Sequence, residues 1–284
     1  MTKQYKAVFF DLYGTLIDIR TDEDSPRAWN ALYEALRDAG AEYASADGVK
    51  RAFDEGLAQV MEGHESDRCY EPDYVSVYQR MLSDRGVSAD ERMARDMGRV
   101  FRRASTNLIR LYPGVMAMLD RLHDAGMRTV LVSNAQSCFT RPELALLGLD
   151  KALDDVLISS EEGVRKPAAE FFERALQREG IAADQVVMVG NDATSDIGGA
   201  ANAGIDGIYF NTEISPSDDA LTCERAALSC RGADYDAMLE FVLGASVVGY
   251  SEAQHIAGLY GYEREDCNET AGYENGRHRA HRAS

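Results

Sequence analysis

The sequence is short of paired cysteines, positive charge and long apolar runs. Its five cysteines are scattered without metal-ligand spacing, so we expect free thiols rather than disulfides. With 30 Lys and Arg against 48 Asp and Glu, the net charge of −18 argues against nucleic acid or an anionic membrane surface as a partner. No apolar stretch approaches the ~20 residues of a membrane span, and the opening Met-Thr-Lys-Gln-Tyr is no signal peptide. We therefore expect a cytoplasmic protein.

What the sequence does contain is a repeated pattern in which polar residues follow an apolar strand. Such runs predict buried strands of a parallel sheet. Because the carboxyl ends of parallel strands meet at one edge of the sheet, where ligands bind, we expect these polar side chains to lie together. The segments are Ala7–Phe10 before Asp11, Thr129–Val132 before Ser133 and Asn134, Asp155–Ser159 shortly before Lys166, and Gln185–Gly190 before Asn191, Asp192 and Asp196.

In these four segments and their order, the chain resembles the haloacid dehalogenase superfamily of hydrolases. The resemblance covers roughly residues 5 to 210 and implies an α/β fold with a doubly wound parallel sheet. The alternation of predicted helices and strands agrees with that fold. The helices are predicted over Tyr74–Leu82, Met93–Ile109, Val115–Gly126, Thr140–Leu147, Pro167–Glu179, Asp196–Ala203 and Tyr235–Leu243, with a further strand over Gly207–Phe210.

The resemblance also implies a helical cap domain inserted after the first motif. Residues 21–111 show the helical periodicity of such an insertion, with Trp29, Leu32 and Leu36 on one face. We predict an α/β catalytic core of residues 1–20 and 112–245, the cap over 21–111, and a mostly disordered tail over 246–284, which is rich in glycine and charge. The alternative for the His and Arg residues of the tail is a metal or phosphate site.

Asp11 is the predicted nucleophile. A carboxylate can attack phosphorus or carbon to give a covalent aspartyl intermediate, which divides one difficult displacement into two easier steps. Ser133 and Asn134 can donate hydrogen bonds to the group in transfer, while Lys166 supplies positive charge that stabilises that group and neutralises Asp11. The roles implied by the resemblance agree with this chemistry.

The acidic residues near the fourth strand predict a magnesium ion. Asp192 and Asp196 lie four residues apart across a helix start, hence on one side, and the resemblance brings them close to Asp11. Converging carboxylates repel one another, so we expect them to bind Mg²⁺ together with the backbone carbonyl of Tyr13. The family has two motif spacings, which put the first acidic position at Asn191 or at Asp192; we choose Asp192 because it is ionised. The alternative for Asp192 is helix capping.

Tyr13 is the residue at which the chain departs from the phosphatases of the superfamily. Those enzymes typically place a second aspartate two residues after the nucleophile, where it protonates the leaving oxygen and then activates water. A tyrosine, with an ordinary pKa near ~10, can donate a proton but is a poor base at neutral pH. The dehalogenase branch of the superfamily carries Tyr-Gly-Thr at this point, and it uses no Mg²⁺.

Three functions therefore remain open. We predict a hydrolase, specifically a Mg²⁺-dependent phosphatase that acts on a small, anionic phosphorylated metabolite through an aspartyl phosphate on Asp11, because the acidic pair needs a metal to explain it. The first alternative is a metal-independent 2-haloacid dehalogenase that uses the same aspartate. The second is a binding protein that keeps the pocket but has lost turnover along with its general acid.

Overall fold

The computed structural model describes residues 4–244, so the predicted tail over 246–284 lies outside the described residues. The strands are β1 (Ala7–Phe10), β2 (Ile17–Thr21), β3 (Thr106–Leu111), β4 (Arg128–Ser133), β5 (Asp155–Ile158), β6 (Val186–Gly190), β7 (Asp206–Asn211) and β8 (Leu228–Arg231). The helices are α1 (Pro26–Asp38), α2 (Ala46–Val60), α3 (Tyr74–Ser83), α4 (Glu91–Ser105), α5 (Val115–Asp124), α6 (Ser137–Leu147), α7 (Leu149–Ala152), α8 (Ser159–Glu162), α9 (Ala169–Glu179), α10 (Gly199–Asn202) and α11 (Tyr235–Leu243). In this part of the chain, no helix combines the length and the apolar character needed to cross a bilayer.

The main sheet has the strand order β5-β4-β1-β6-β7-β8, and each of its neighbouring pairs is parallel. Strand β1 lies in the middle, with Phe10 beside Leu131 of β4 and Val189 of β6. All these strands therefore end at the same edge, and the residues that follow them are brought together there. The doubly wound parallel sheet predicted from the sequence is confirmed.

Strand β1 is apolar on both faces because both faces of the sheet are covered by helices. Val8 and Phe10 belong to an apolar cluster that includes the buried residues of α5 and α11. Ala7 and Phe9 point to the opposite face, in a cluster with the buried residues of α9 and with Ala200 of α10. The period of two along the strand thus divides one continuous apolar run between two cores.

Helices α1–α4 lie between β2 and β3 and share an apolar cluster of their own. Helix α1 begins where the Ser25 side chain accepts a hydrogen bond from the Ala28 N–H, with a proline in the first turn. The cluster contains Trp29 and Phe101 of this group, and it also takes in Phe139 from α6. The packing therefore joins α4 to the first turn of α6, the helix that follows β4.

The helix predicted over Met93–Ile109 is shorter in the structure, so that prediction was wrong at its end. Helix α4 ends at Ser105, and Thr106–Leu111 forms β3, which pairs antiparallel with β2 so that Ile19 lies opposite Ile109. No glycine or proline marks this boundary in the sequence. Pairing with a strand some 90 residues away overrides the local helical pattern, because strand formation depends on the partner more than on propensity.

Candidate active site

Lys166 forms the centre of the site, with its ammonium between two carboxylates. Its Nζ lies 2.7 Å from Asp11 Oδ1 and 2.7 Å from Asp196 Oδ1. All three residues are buried, with 8% of Asp11, 2% of Lys166 and 1% of Asp196 exposed. We call this group the lysine cluster. It shows that residues from the segments that follow β1, β5 and β6 meet, as the sequence pattern predicted.

The backbone explains how these side chains reach one another. Asp11 directly follows β1, and Asp196 lies in a short π-helical segment, Ala193–Gly198, that follows β6. Gly190 at the end of β6 makes room for Asp196, because a β-carbon there would lie 2.3 Å from Asp196 Oδ2. Asp196 can therefore turn back over the strand end and approach the ammonium, where a larger residue at position 190 would displace it.

The charges of the lysine cluster depend on one another. Burial by itself lowers the pKa of Lys166, but the carboxylates of Asp11 and Asp196 outweigh burial and raise it, so the ammonium stays charged. Burial raises the pKa of Asp196 above its ordinary value, although the charge of Lys166 opposes the rise. One fixed positive charge therefore compensates two buried carboxylates, and it stands where negative charge would build up during a displacement at Asp11.

Ser133 and Asn134, at the end of β4, support the lysine cluster in two ways. The Ser133 hydroxyl donates to Asp11 Oδ1 over a long 3.5 Å. The Asn134 side chain binds the backbone of Lys166, since its Oδ1 accepts from the Lys166 N–H at 2.8 Å and its Nδ2 donates to the Lys166 carbonyl at 3.0 Å. Asn134 therefore holds the lysine in place. Its contact with a transferring group stays a prediction.

Asp192 and Asn191 have different surroundings although they are adjacent. Asp192 Oδ1 accepts from the N–H groups of Thr194 and Ser195 at 2.8 and 2.7 Å, which is the geometry of a helix cap. Asn191 is 5% exposed and lies against Gly14 of the nucleophile loop, residues 11–16. Gly14 has a φ of +85°, and a β-carbon on it would lie 2.1 Å from Asn191 Nδ2, so only glycine fits there.

The magnesium ion implied by the resemblance was tested against these donors. In residues 4–244, no three His, Cys, Asp or Glu side chains form a group that could hold a metal ion. Asp196 is engaged through both oxygens, with Lys166 and with the Asp192 N–H, while Asp192 caps a helix. In this arrangement the residues do not fit a site built on three carboxylates. Binding of Mg²⁺ by Asp11, Tyr13, Asp192 and Asp196 stays a prediction.

Tyr13 is held by groups that the sequence analysis did not single out. Its hydroxyl donates to Glu143 Oε2 at 2.5 Å, and Arg102 Nε donates to the other oxygen of Glu143 at 2.7 Å. Arg102 also donates to Glu23 at 2.7 Å. We call Arg102, Glu143 and Glu23 the arginine cluster. These contacts join residues up to 130 positions apart, so no local sequence signal could have found them.

Residues near the connection between α2 and α3 also contact the loops that carry the catalytic candidates. Gln136, which is buried just after the second motif, accepts from the Tyr74 N–H and donates to Glu71 Oε1, both at 2.9 Å. The Arg165 N–H, next to Lys166, donates to the Cys69 carbonyl at 2.9 Å. The connection between α2 and α3 therefore lies against two of the loops at the strand ends.

The sequence of the chain matches the model of a known family. The haloacid dehalogenase-like hydrolase family model covers residues 5–204, which include the lysine cluster and all four motifs. The chain belongs to this family. It is therefore a hydrolase, and the resemblance stated from its motifs is confirmed.

Individual relatives of this haloacid dehalogenase-like hydrolase include proteins named for both reactions. It is 29% identical over 216 residues to the glyceraldehyde 3-phosphate phosphatase of Methanothermobacter thermautotrophicus, covering 75% of this chain and 88% of that one. It is 24% identical over 231 residues to (S)-2-haloacid dehalogenase 4A of Burkholderia cepacia, covering 77% and 88%. The solved 2-haloacid dehalogenase of Pseudomonas syringae, at 22% identity and a TM-score of 0.56 over 85% of this chain and 99% of that one, shows the shared fold alone.

Proposed function

We propose that this protein hydrolyses phosphate monoesters of small metabolites through a covalent aspartyl phosphate on Asp11. The observation that carries the proposal is the buried ammonium of Lys166, 2.7 Å from both Asp11 and Asp196 at the ends of parallel strands. The relative at 29% identity is named as a phosphatase of a small phosphorylated sugar, which supports the substrate class.

The mechanism has two displacements. A carboxylate oxygen of Asp11 attacks phosphorus, the bond from phosphorus to the ester oxygen breaks, and the leaving group takes a proton from solvent or departs as the anion. Water then attacks the phosphorus of the aspartyl phosphate, which releases phosphate and restores the carboxylate. In both steps Lys166 stabilises the negative charge that builds up on the phosphoryl group beside Asp11. The Ser133 hydroxyl, which lies next to Asp11, can donate a hydrogen bond to the same phosphoryl group.

We also propose that residues 21–111 act as the cap over this site. The support is that α1–α4 have their own apolar cluster and that the connection between α2 and α3 contacts the loop that carries Lys166. A cover in that position excludes water from the aspartyl phosphate and selects the substrate by its own residues. In this proposal the α/β catalytic core consists of residues 1–20 and 112–245.

A second candidate is hydrolysis of a 2-haloacid at the same aspartate. It is favoured by Tyr13, because the hydroxyl is bound to Glu143 and no carboxylate stands two residues after Asp11 to protonate a leaving oxygen. A departing halide needs no proton. The candidate is also compatible with the engagement of Asp192 and Asp196 by protein groups.

One experiment separates these candidates. Purified full-length protein is assayed against a panel of phosphorylated metabolites and against 2-chloropropionate, each with Mg²⁺ and with EDTA, alongside the variant Asp11→Asn. We expect phosphate release that Asp11→Asn abolishes. The EDTA arm tests the Mg²⁺ dependence that the resemblance implies. Chloride release without phosphate release would replace the proposal by the second candidate, and no turnover of either kind would leave a binding protein.

A further inference from the structure

We propose that Glu143 and Arg102 are positioning residues, which fix the nucleophile loop by holding Tyr13, and that the Tyr13 hydroxyl is not the proton donor to the leaving group. The inference deepens the proposed function and rests on it. It concerns the residue that stands where the phosphatases of the family carry their acid, and it assigns that residue a different task.

The hydrogen bonds of the Tyr13 hydroxyl are the first support. A phenol has one proton to donate, and here it is directed to Glu143 Oε2 at 2.5 Å. The Thr140 hydroxyl, 3.0 Å away, is placed to donate to the Tyr13 oxygen. The proton of the Tyr13 hydroxyl is therefore directed at a carboxylate of the protein and not at a leaving alkoxide.

The position of Arg102 is the second support. Its guanidinium donates through Nε to Glu143 and through Nη1 to Glu23, so two of its donor groups are fixed. The same guanidinium lies over the Tyr13 ring at 5.5 Å and over the Phe139 ring at 5.2 Å. Only 9% of Arg102 and 6% of Glu143 are exposed. The two rings and the two carboxylates fix the orientation of the planar guanidinium. Arg102 therefore packs on the face of the Tyr13 ring, while Glu143 binds the Tyr13 hydroxyl.

The consequence for catalysis comes from where the three groups lie. Tyr13 is two residues after Asp11, Glu143 is on α6 and Arg102 is on α4. The next residue of the loop, Gly14, packs against Asn191, which follows β6. The nucleophile loop is therefore fixed by α4 and α6 at Tyr13 and by the segment after β6 at Gly14. The direction in which Asp11 points depends on both sets of contacts. Loss of the contacts that Glu143 and Arg102 make with Tyr13 should misplace Asp11 for every substrate, because the position of the nucleophile does not depend on the leaving group.

The test compares leaving groups. Single-turnover rates are measured for Tyr13→Phe and Glu143→Gln on p-nitrophenyl phosphate, whose leaving group departs without a proton, and on glycerol phosphate, whose leaving group needs one. We expect each variant to lose about 10- to 100-fold by the same factor on both substrates, with little change in KM. A general acid would behave differently, since Tyr13→Phe would then cost about 10²–10⁴-fold on glycerol phosphate and spare the aryl ester. That result would overturn the inference.

A second measurement does not depend on activity. The free energy of unfolding in urea is measured for the wild type, both single variants and the double variant, which together form a double-mutant cycle. We expect the two losses of stability to be non-additive, because both substitutions affect the same hydrogen bond between Tyr13 and Glu143. An additive cycle overturns the inference even if the wild type hydrolyses no phosphate ester, an outcome that would remove only the proposed function. If Glu143→Gln does not fold, Arg102→Lys replaces it, because lysine keeps the charge but loses the planar contact.

Matched controls come from pairs outside the site. Tyr43→Phe removes a hydroxyl that donates to the Met81 carbonyl at 2.7 Å, and Glu161→Gln removes a carboxylate paired with Arg141 on α6. We expect both to keep wild-type rates on the two substrates. A loss in these controls as large as in Tyr13→Phe would show that any lost hydrogen bond in this region slows the reaction, and the inference would fail.

Discussion

The lysine cluster and the arginine cluster both consist of one cation bound to two carboxylates, but the cation is an ammonium in the first and a guanidinium in the second. Lys166 reaches both of its carboxylates with one ammonium, at 2.7 Å each. Arg102 uses separate donors for Glu143 and Glu23, and its flat surface also lies against two rings. An ammonium presents one point of positive charge to both carboxylates, whereas a guanidinium binds each carboxylate through a separate donor and also packs its flat face on rings.

We infer from this comparison that the task of each cluster, catalysis or positioning, depends on which carboxylate it contains. The lysine cluster contains Asp11, which follows the central strand at the ligand-binding edge of the sheet. The carboxylates of the arginine cluster lie on α6 and before α1, and Glu143 contacts the loop at that edge through the Tyr13 hydroxyl. We therefore expect a change in the lysine cluster to remove chemistry, and a change in the arginine cluster to lower its rate.

The largest effect is expected for the nucleophile. Asp11→Asn should lower kcat by about 10³-fold or more, because an amide cannot form the aspartyl intermediate. The fold should remain, since Lys166 keeps Asp196 as its partner. The measurements are phosphate release and circular dichroism, with Asp18→Asn as the control for loss of a buried carboxylate that is paired with arginine elsewhere. Near-wild-type activity of Asp11→Asn would refute the mechanism.

Removal of the two cations sharpens the comparison directly. Lys166→Met should lower kcat by about 10²–10³-fold. It should also lower the free energy of unfolding by about 3–5 kcal/mol, because two buried carboxylates lose their partner. Arg102→Met should cost stability of the same order but only about 10- to 100-fold in rate. Equal losses of rate in the two variants would end the distinction between the clusters. Kinetics and urea unfolding of both proteins measure it.

A smaller effect is expected at Asn134, which the structure places behind Lys166. Asn134→Ala leaves the backbone N–H and carbonyl of Lys166 without their side-chain partner, which should cost about 1–3 kcal/mol of stability. We expect kcat to fall by about 10-fold while KM changes little, because the ammonium is misplaced. A rise in KM with kcat unchanged would instead show that Asn134 binds the phosphate, as the sequence predicted. Ser133→Ala serves as the neighbouring comparison.

The lysine cluster could be predicted from the sequence because it depends on topology. Parallel strands end at one edge whatever their side chains do, so Asp11 and Lys166 had to come close once the sheet was predicted. The arginine cluster could not, because Glu143 and Arg102 lie on helices whose relative rotation is set by packing of the whole apolar cluster. Glutamate and arginine on helix surfaces are far more often solvated, so nothing local marked these two.

The limits of sequence prediction were similar at three other places. The end of α4 at Ser105 was missed because β3 exists only through its pairing with β2. The roles of Asn191 and Asp192 depended on backbone angles at a single turn, because neighbouring residues there point in different directions and both are ordinary capping residues. Strand β8 was also not predicted, and it lies at the edge of the sheet beside β7.

The smallest effect is expected at Asp192, where two substitutions separate capping from charge. Asparagine caps a helix about as well as aspartate, so Asp192→Asn should leave the free energy of unfolding nearly unchanged, whereas Asp192→Ala should lower it by about 1 kcal/mol. Urea unfolding measures both. A Mg²⁺ titration of activity is the second measurement, because a ligand role requires Asp192→Asn to raise the half-saturating Mg²⁺ concentration markedly. If it does not, Asp192 is only a cap, and a larger effect of Asn191→Ala on the titration would show that Asn191, not Asp192, holds the first acidic position of the motif.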